Sequence, residues 1–430
     1  MEFETFNLTD LYTISSGLSK NRKYFGTGTP FLTFKDVFDN LILPNEFSGQ
    51  VITEEKEREK YSVKKGDLFL TRTSEKQNEL GISAVALKDY KNATFNGFTK
   101  RLRPNKYCEN KLLPVYAAFY FRSNNFRNQV NSMSIMSTRA SLNNEMISKL
   151  KITIPSLQNQ MKISHILLAL LKKEKINQKI IANLEELSQT IFKHWFVDFE
   201  FPDENGNPYK SSGGEMVDSE LGKIPKGWEC VYLKDIVHHK KDTFNPKKSN
   251  ESEVKHFSLP AFDSGQYPTI DYVTDIKSNK WIIDENCILF SKMNPTTRRI
   301  WVTLYNENFL NVASSEFVVL KSDSSYRNAF IYNICISDKF NEYLVSNTTG
   351  STNSRQRVKP DIAVQYRFAY NEEVSYLLSE KIEPYIEKIK IIREQNQNLT
   401  QLRDTLLPKL MSGEIEIPDD IEVNEDELSI

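Results

Sequence analysis

The sequence predicts a mixed α/β (α+β) protein built from two pseudo-repeated units, each closed by a long helix able to pair as a coiled coil. Three observations carry this. First, Asn183-Leu184-x-x-Leu187-x-x-Thr190-Ile191-Phe192 returns as Asn398-Leu399-x-x-Leu402-x-x-Thr405-Leu406-Leu407, 215 positions on in a chain of 430. Second, both copies lie in helical stretches of ~40 residues, against ~11–12 for an average helix. Third, each stretch follows short apolar runs such as GDLFLTR and FSKMN, broken by Gly, Pro, Asn and Ser, with helical segments such as LLPVYAAFYFRSNNFRNQV between them.

Weaker echoes keep the same order. Leu8-x-Asp10-Leu11 answers Leu233-x-Asp235-Ile236, and Gly66-Asp67-Leu68-Phe69-Leu70-Thr71-Arg72 answers Asn286-Cys287-Ile288-Leu289-Phe290-Ser291-Lys292. Asn96-Gly97-Phe98 answers Ser315-Glu316-Phe317, and Arg139 in STRASLN answers Arg355 in NSRQRVK. The division this predicts is a first unit over 1–154 and a first helix over 155–200, from about Leu157 to Phe196. A linker and second unit follow over 201–371, a second helix over 372–413, and an acidic tail over 414–430.

In the second helix Leu378, Ile382, Tyr385, Ile389, Ile392 and Leu399 alternate steps of four and three, with Asn396 as one polar seam position. Leu402 and Leu406 extend that seam. In the first helix the expected seam runs through Ile163, Leu167, Leu170, Ile176, Ile180, Leu184, Leu187 and Ile191, interrupted at Glu174 and Asn177. Pro384 is expected to kink the second helix or mark a late start, and Pro408 to shorten it. Asn396→Leu is expected to stabilise pairing while loosening register.

The net charge of −1 hides an uneven distribution. Residues 414–430 carry eight acids and no Lys or Arg, which reads as a solvated tail, and leave a net of +7 on the rest. Residues 1–154 alone hold 23 basic and 16 acidic side chains, whereas 201–371 balance at 21 each. A positive first third suits a polyanion such as nucleic acid; a Lys-rich solubilising surface would give the same count. Cys108, Cys230, Cys287 and Cys335 lie far apart, so neither a disulfide framework nor a zinc module is expected, and the cytoplasm is the expected compartment. Neither a membrane-spanning run nor a secretory signal is expected.

Catalytic constellations are missing. There is no GxxxxGK[ST] loop and no GxGxxG turn. Asn207-Pro208-Tyr209 only superficially resembles the tetrapeptide of adenine methyltransferases and sits in the linker DENGNPYKSSGGE. The five histidines show no metal-ligand spacing, and Glu54-Glu55-Lys56 reads as a solvated helix, not a nuclease motif. No active site and no metal site is predicted.

Candidate nucleic-acid contacts fall in clusters of Arg or Lys with turn residues. In the first unit they are Arg72 and Lys76, then Lys100, Arg101 and Arg103, then Arg139. In the second they are Lys292, Asn294, Arg298 and Arg299, then Arg355, Gln356 and Arg357. Arg and Lys can read guanine edges, Asn and Gln adenine, and the flanking Ser and Thr suit phosphates.

Glu220-Leu221-Gly222-Lys223-Ile224-Pro225-Lys226-Gly227-Trp228-Glu229 resembles the opening of the second recognition domain in specificity subunits of type I restriction–modification systems. Pro155-Ser156-Leu157-Gln158-Asn159-Gln160 is similar to the Pro-x-Leu-x-Glu-Gln segment that opens that family's first long helix, with Asn159 in place of Glu. FSKMNPTTRRIWV, SSEFVVL and GSTNSRQRV are also similar to its recognition-domain sequences, whereas Tyr370-Asn371-Glu372-Glu373 lacks the usual Pro and Gln. The resemblance covers the whole chain. It implies a non-catalytic subunit whose two target-recognition domains each read half of a bipartite, asymmetric double-stranded DNA target, with antiparallel helices as a fixed spacer. It further implies two methyltransferase subunits and motor-nuclease subunits as partners, which would bind S-adenosylmethionine, ATP and Mg2+, and a role in phage defence. A coiled-coil scaffold that grips proteins is the alternative; an enzyme with an unrecognised site is a third.

Overall fold

The computed structural model describes residues 2–74, 79–134, 140–285, 287–322, 325–350, 356–418, 421, 423 and 428. The chain forms two compact units: one of residues 1–173 and 399–430, the other of 174–398. Each unit therefore takes an α/β body and part of both long helices.

In the first unit, strand Phe3–Asn7 pairs antiparallel with Lys151–Pro155. An antiparallel sheet has the order Tyr12–Ser16, Thr99–Pro104, Leu68–Thr71, Ser83–Val85. A second sheet, Gly49–Val51, Phe25–Leu32, Tyr90–Phe95, Ser62–Val63, contains a parallel pairing of Phe31 with Thr94. Apolar positions on short alternating strands form its core, with Phe69 and Phe95 fully buried and edge-on at 5.2 Å.

The second unit repeats this plan. Glu229–Tyr232 pairs with Arg367–Tyr370. The order His238–Lys240, Phe317–Lys321, Cys287–Ser291, Ile300–Val302 matches the first antiparallel sheet strand for strand. A five-stranded sheet again carries one parallel pairing, Glu253–Phe257 on Leu310–Ser314. Just after the Gly/Ser-rich linker, Met216–Ser219 and Gly222–Pro225 form a hairpin.

The long helices are Leu157–Phe196 and Glu372–Ser412. Asn371 caps the second, accepting from the Val374 N–H at 3.0 Å, and Gly413 at φ +76° ends it. Pro384 and Pro408 do not stop this helix. The turns around Pro384 are held by Leu378, Ile382, Ile386 and Ile389, all 2% exposed or less, and this packing outweighs one lost backbone bond.

Within the second unit the two helices run antiparallel: Asn177 meets Asn396, Glu185 meets Arg393, and Lys381 lies over the Trp195 ring. Ile382, Ile389, Ile392 and Asn396 are buried as the seam requires, while Leu184 and Ile191 are half-buried and pack on the same core. The first helix corrects the expected seam by one position. Asn177, Ile181, Leu184, Ser188, Ile191 and Trp195 face inward at steps of four and three, whereas Ile176, Ile180 and Leu187 are exposed. Asn177 is a member of the seam and not an interruption of it. In the first unit Leu167 is buried, Leu170 and Leu399 are half-buried, Leu406 packs on the core and Leu402 is exposed.

The Asn177 amide donates to Asn396 Oδ1 at 2.8 Å, and both residues are buried. This reverses the expectation for Asn396→Leu. The substitution strands the Asn177 amide and should cost about 2 kcal/mol. Replacing both asparagines by Leu should recover most of that in urea unfolding. A stabilising single Leu would exclude the pair as a mutual partner.

The acidic end is not a solvated tail. Ile415, Ile417, Ile421 and Leu428 pack on the core of the first unit, and Lys162 Nζ donates to the Pro418 carbonyl at 3.0 Å. No helix among the described residues is long and apolar enough to cross a membrane.

Candidate nucleic-acid interface

In each unit three segments distant in sequence converge at the end of one central strand. In the first, the strand Leu68–Thr71 runs out at Arg72, whose N–H donates to the Phe98 carbonyl at 2.8 Å and whose carbonyl accepts from the Leu142 N–H at 2.8 Å. The Thr73–Ser74 strand continues beside Ala140–Ser141. In the second, Cys287–Ser291 runs out at Lys292, which donates to the Glu316 carbonyl at 3.0 Å and accepts from the Val358 N–H at 3.0 Å. Met293 then bridges to Arg357. Every one of these contacts has its counterpart at the repeat interval, so the echoes in the sequence mark one shared constellation.

The first unit builds a cleft of about 620 Å³ there, lined by Ser16, Lys20, Phe34, Arg72, Asn96 and Phe98 among others. Asn96 makes the turn rigid: its Oδ1 accepts from the Phe98 N–H at 2.8 Å, and its amide donates to the Leu32 carbonyl at 3.0 Å. Phe98 is consequently held out into solvent, 64% exposed. Arg72 is half-buried, its closest acceptor the Gly97 carbonyl at 3.5 Å, and its Nε has no partner among the described residues. Lys100 is buried and donates to Ser16 Oγ and Asn144 Oδ1, both at 2.9 Å. Burial, and then the Arg72 charge, lower its ammonium below the ordinary value. Among the described residues no carboxylate pairs with Arg72 or Lys100, so this corner carries uncompensated positive charge, as an anion site requires.

Arg101 and Arg103 belong to the scaffold instead. Arg103 makes a bidentate pair with the fully buried Asp67 at 2.7 and 2.6 Å. Arg101 is buried, donates to the Ser62 carbonyl at 2.7 Å and lies over the Phe95 ring, with burial and then Arg103 lowering its pKa. The second unit has the analogous staple: burial opposes ionisation of Asp284, but hydrogen bonds from Lys240 and Lys321 hold its carboxyl down to about 2.

The remaining candidates of the second unit divide the same way. Arg299 pairs with Asp263 at 2.6 and 3.0 Å, and Arg298 with Asp338 at 2.5 Å, so both guanidinium groups are already engaged at the surface. Asn294 sits in the left-handed region at φ 48°, donates its N–H to the Gln356 carbonyl at 2.9 Å, and leaves a buried Oδ1 without a partner among the described residues. Gln356 is half-buried, and Arg357 is half-exposed beside Glu316. Lys76, Arg139 and Arg355 lie outside the described residues. Asp263, Asp338 and Glu316, which decide which arginines are engaged, lie 36–41 positions from their partners, and no local pattern announces them. Among the described residues no group of three His, Cys, Asp or Glu side chains could hold a metal ion.

Residues 1–186 match the family described as type I restriction modification DNA specificity domain. The chain is 24% identical to the type I restriction enzyme MjaIX specificity subunit of Methanocaldococcus jannaschii, over 97% of this chain and 94% of that protein. It is 24% identical to the HindI specificity subunit of Haemophilus influenzae, over 90% and 94%. The fold is that of the S subunit of a type I restriction–modification system from M. genitalium, at TM-score 0.55 and 12% identity over 98% and 97% of the two chains. Its repeat, paired helices and matched strand-end clusters thus accompany a type I restriction modification DNA specificity domain over residues 1–186, in a chain similar over nearly its whole length to type I restriction enzyme specificity subunits.

Proposed function

We propose that each unit reads one half of a bipartite, asymmetric DNA target through its strand-end constellation, while the paired helices set the spacing of the half-sites and dock two methyltransferase subunits. The observation that carries this is the recurrence of one backbone arrangement in both units with different side chains: Arg72, Phe98 and Lys100 in one, Lys292, Glu316 and Arg357 in the other. A shared scaffold gives equivalent presentation to DNA. Unlike side chains give unlike half-sites.

The exposed apolar residues of the helices support docking. Ile176 and Ile391 are 52% and 48% exposed, and Leu187 and Leu402 are 51% and 47%. Both pairs are separated by the repeat interval of 215, so two like partners would meet like surfaces. S-adenosylmethionine, ATP and Mg2+ are then the business of the methyltransferase and motor-nuclease subunits, and the complex works in the cytoplasm.

Mapping methylated adenines across the source genome, with and without this gene, tests the reading. One motif of two short specified blocks around an unspecified gap should disappear; an unchanged map contradicts it. Arg72→Ala should weaken target binding by about 1–3 kcal/mol, with relaxed preference in one block only. An equal loss on every DNA sequence, measured by competition titration, would make Arg72 a phosphate contact.

A further inference from the structure

We infer that Arg357 reads a guanine in one half-site and that Glu316 is the positioning residue that aims it, an assignment that rests on the DNA-recognition reading above. Arg357 differs from Arg299, which is paired side-on in the same way but is only 14% exposed, and from Arg298, whose Nη1 and Nη2 are both taken up by the Ile336 carbonyl and Asp338. The Arg357 Nε and Nη2 donate side-on to Glu316 at 3.1 and 3.0 Å, yet its side chain is 50% exposed. Side-on pairing occupies one edge of the guanidinium and leaves the Nη1 and Nη2 hydrogens of the other edge pointing outward as a parallel pair. That edge matches the O6 and N7 acceptors of guanine in the major groove.

The backbone beneath it is fixed from both sides. The Arg357 N–H donates to the Thr349 carbonyl at 2.9 Å and its carbonyl accepts from the Thr349 N–H at 2.8 Å. Met293 bridges it on the other side. A side chain with a braced root and a braced head loses little conformational entropy on binding. The pairing also gives Glu316 a place on such a surface. A carboxylate on a surface that meets phosphates is repelled by them, so a free Glu there would weaken binding. Paired with Arg357 it is neutralised and converts a mobile cation into a directed one. The repeat-equivalent position of the first unit carries the exposed Phe98, which can direct no guanidinium, so this device is confined to one half-site.

The test is selection of duplexes from a randomised double-stranded DNA library by the immobilised full chain, comparing wild type with variants. Arg357→Ala should make one G·C position degenerate, with roughly 5–150-fold loss of preference there and the other block intact. Arg357→Lys, which keeps the charge and loses the fork, should show the same degeneracy while retaining affinity for non-specific duplex, and it serves if Arg357→Ala fails to fold. Glu316→Ala should blur that same position and no other, and Glu316→Gln, which keeps an acceptor, should restore part of the preference. A wild-type motif that Arg357→Ala and Arg357→Lys leave unchanged overturns the inference alone. A wild-type chain that enriches no motif overturns the DNA-recognition reading, and this inference with it.

Discussion

Removing residues 414–430 should cost the first unit about 3–5 kcal/mol of stability. Ile417 is buried on its core and Ile415, Ile421 and Leu428 pack against it. Burying such a side chain fully contributes ~1.5–3 kcal/mol. The partly buried ones contribute less, and ordering the segment consumes part of the sum. Gly413 turns the chain back at the end of the second helix, where a Cβ would come within 2.8 Å of the Phe3 ring. The segment is thereby delivered to the edge where the N-terminal strand Phe3–Asn7 lies. Because two units need not unfold together, a single melting temperature is a poor readout. Amide hydrogen exchange of Leu68–Thr71, a fully buried strand, reports the first unit directly. Protection unchanged to within ~1 kcal/mol would show that the segment only rests on the surface.

The composition of this segment conceals its buried face. Eight acids in seventeen residues dominate any composition count. Yet Glu414-Ile415-Glu416-Ile417 alternates acid and apolar residues, the two-residue period of a chain with one buried face. The helix seam was missed for the converse reason. Period counting looks for apolar residues, so it followed Ile176, Ile180 and Leu187, which face solvent, and passed over Asn177 and Ser188, which face inward. Polar seam positions are legible only through their partners, and Asn396 lies 219 positions from Asn177. The repeat was far more legible, because two copies of one fold constrain the same backbone contacts twice. The echo of Arg72 in Lys292 marks the same hydrogen bond in both units, whereas the echo of Phe98 in Phe317 is one position off, because Glu316 supplies the carbonyl that Phe98 supplies in the first unit. What no local pattern could supply was which arginines are free to meet DNA. Arg103, Arg298 and Arg299 look identical to Arg72 in sequence, and only the positions of Asp67, Asp338 and Asp263 separate them.

Glu185→Ala should destabilise the second unit by about 3 kcal/mol and loosen its recognition body from the helix pair. Glu185 on the first helix is where three elements meet. Its Oε1 accepts from Arg393 Nη2 on the second helix at 3.1 Å and from the Tyr332 hydroxyl on helix Ser325–Ile336 at 2.6 Å. Arg393 is 5% exposed, and its Nε and Nη1 find no other partner among the described residues. Without the carboxylate, a buried cation loses its counter-ion and a buried phenol its acceptor, the situation in which breaking a pair costs ~3–5 kcal/mol. Glu185 is itself one-third exposed, which places the effect at the low end. The pair need not stabilise the fold relative to apolar side chains, so Glu185→Leu with Arg393→Met should return most of the loss. Urea unfolding followed by hydrogen exchange in the second unit separates these outcomes. A single-variant loss below ~1 kcal/mol would mean that water already satisfies the Arg393 guanidinium. The first unit offers an internal control. At the repeat-related places stand Tyr116 and Thr400, whose buried hydroxyls find no partner among the described residues, so no carboxylate meets either of them there. The Glu185 junction therefore has no counterpart at these two places. Its loss should disturb the half-site proposed for Lys292, Glu316 and Arg357 while leaving the one proposed for Arg72 and Lys100 in place.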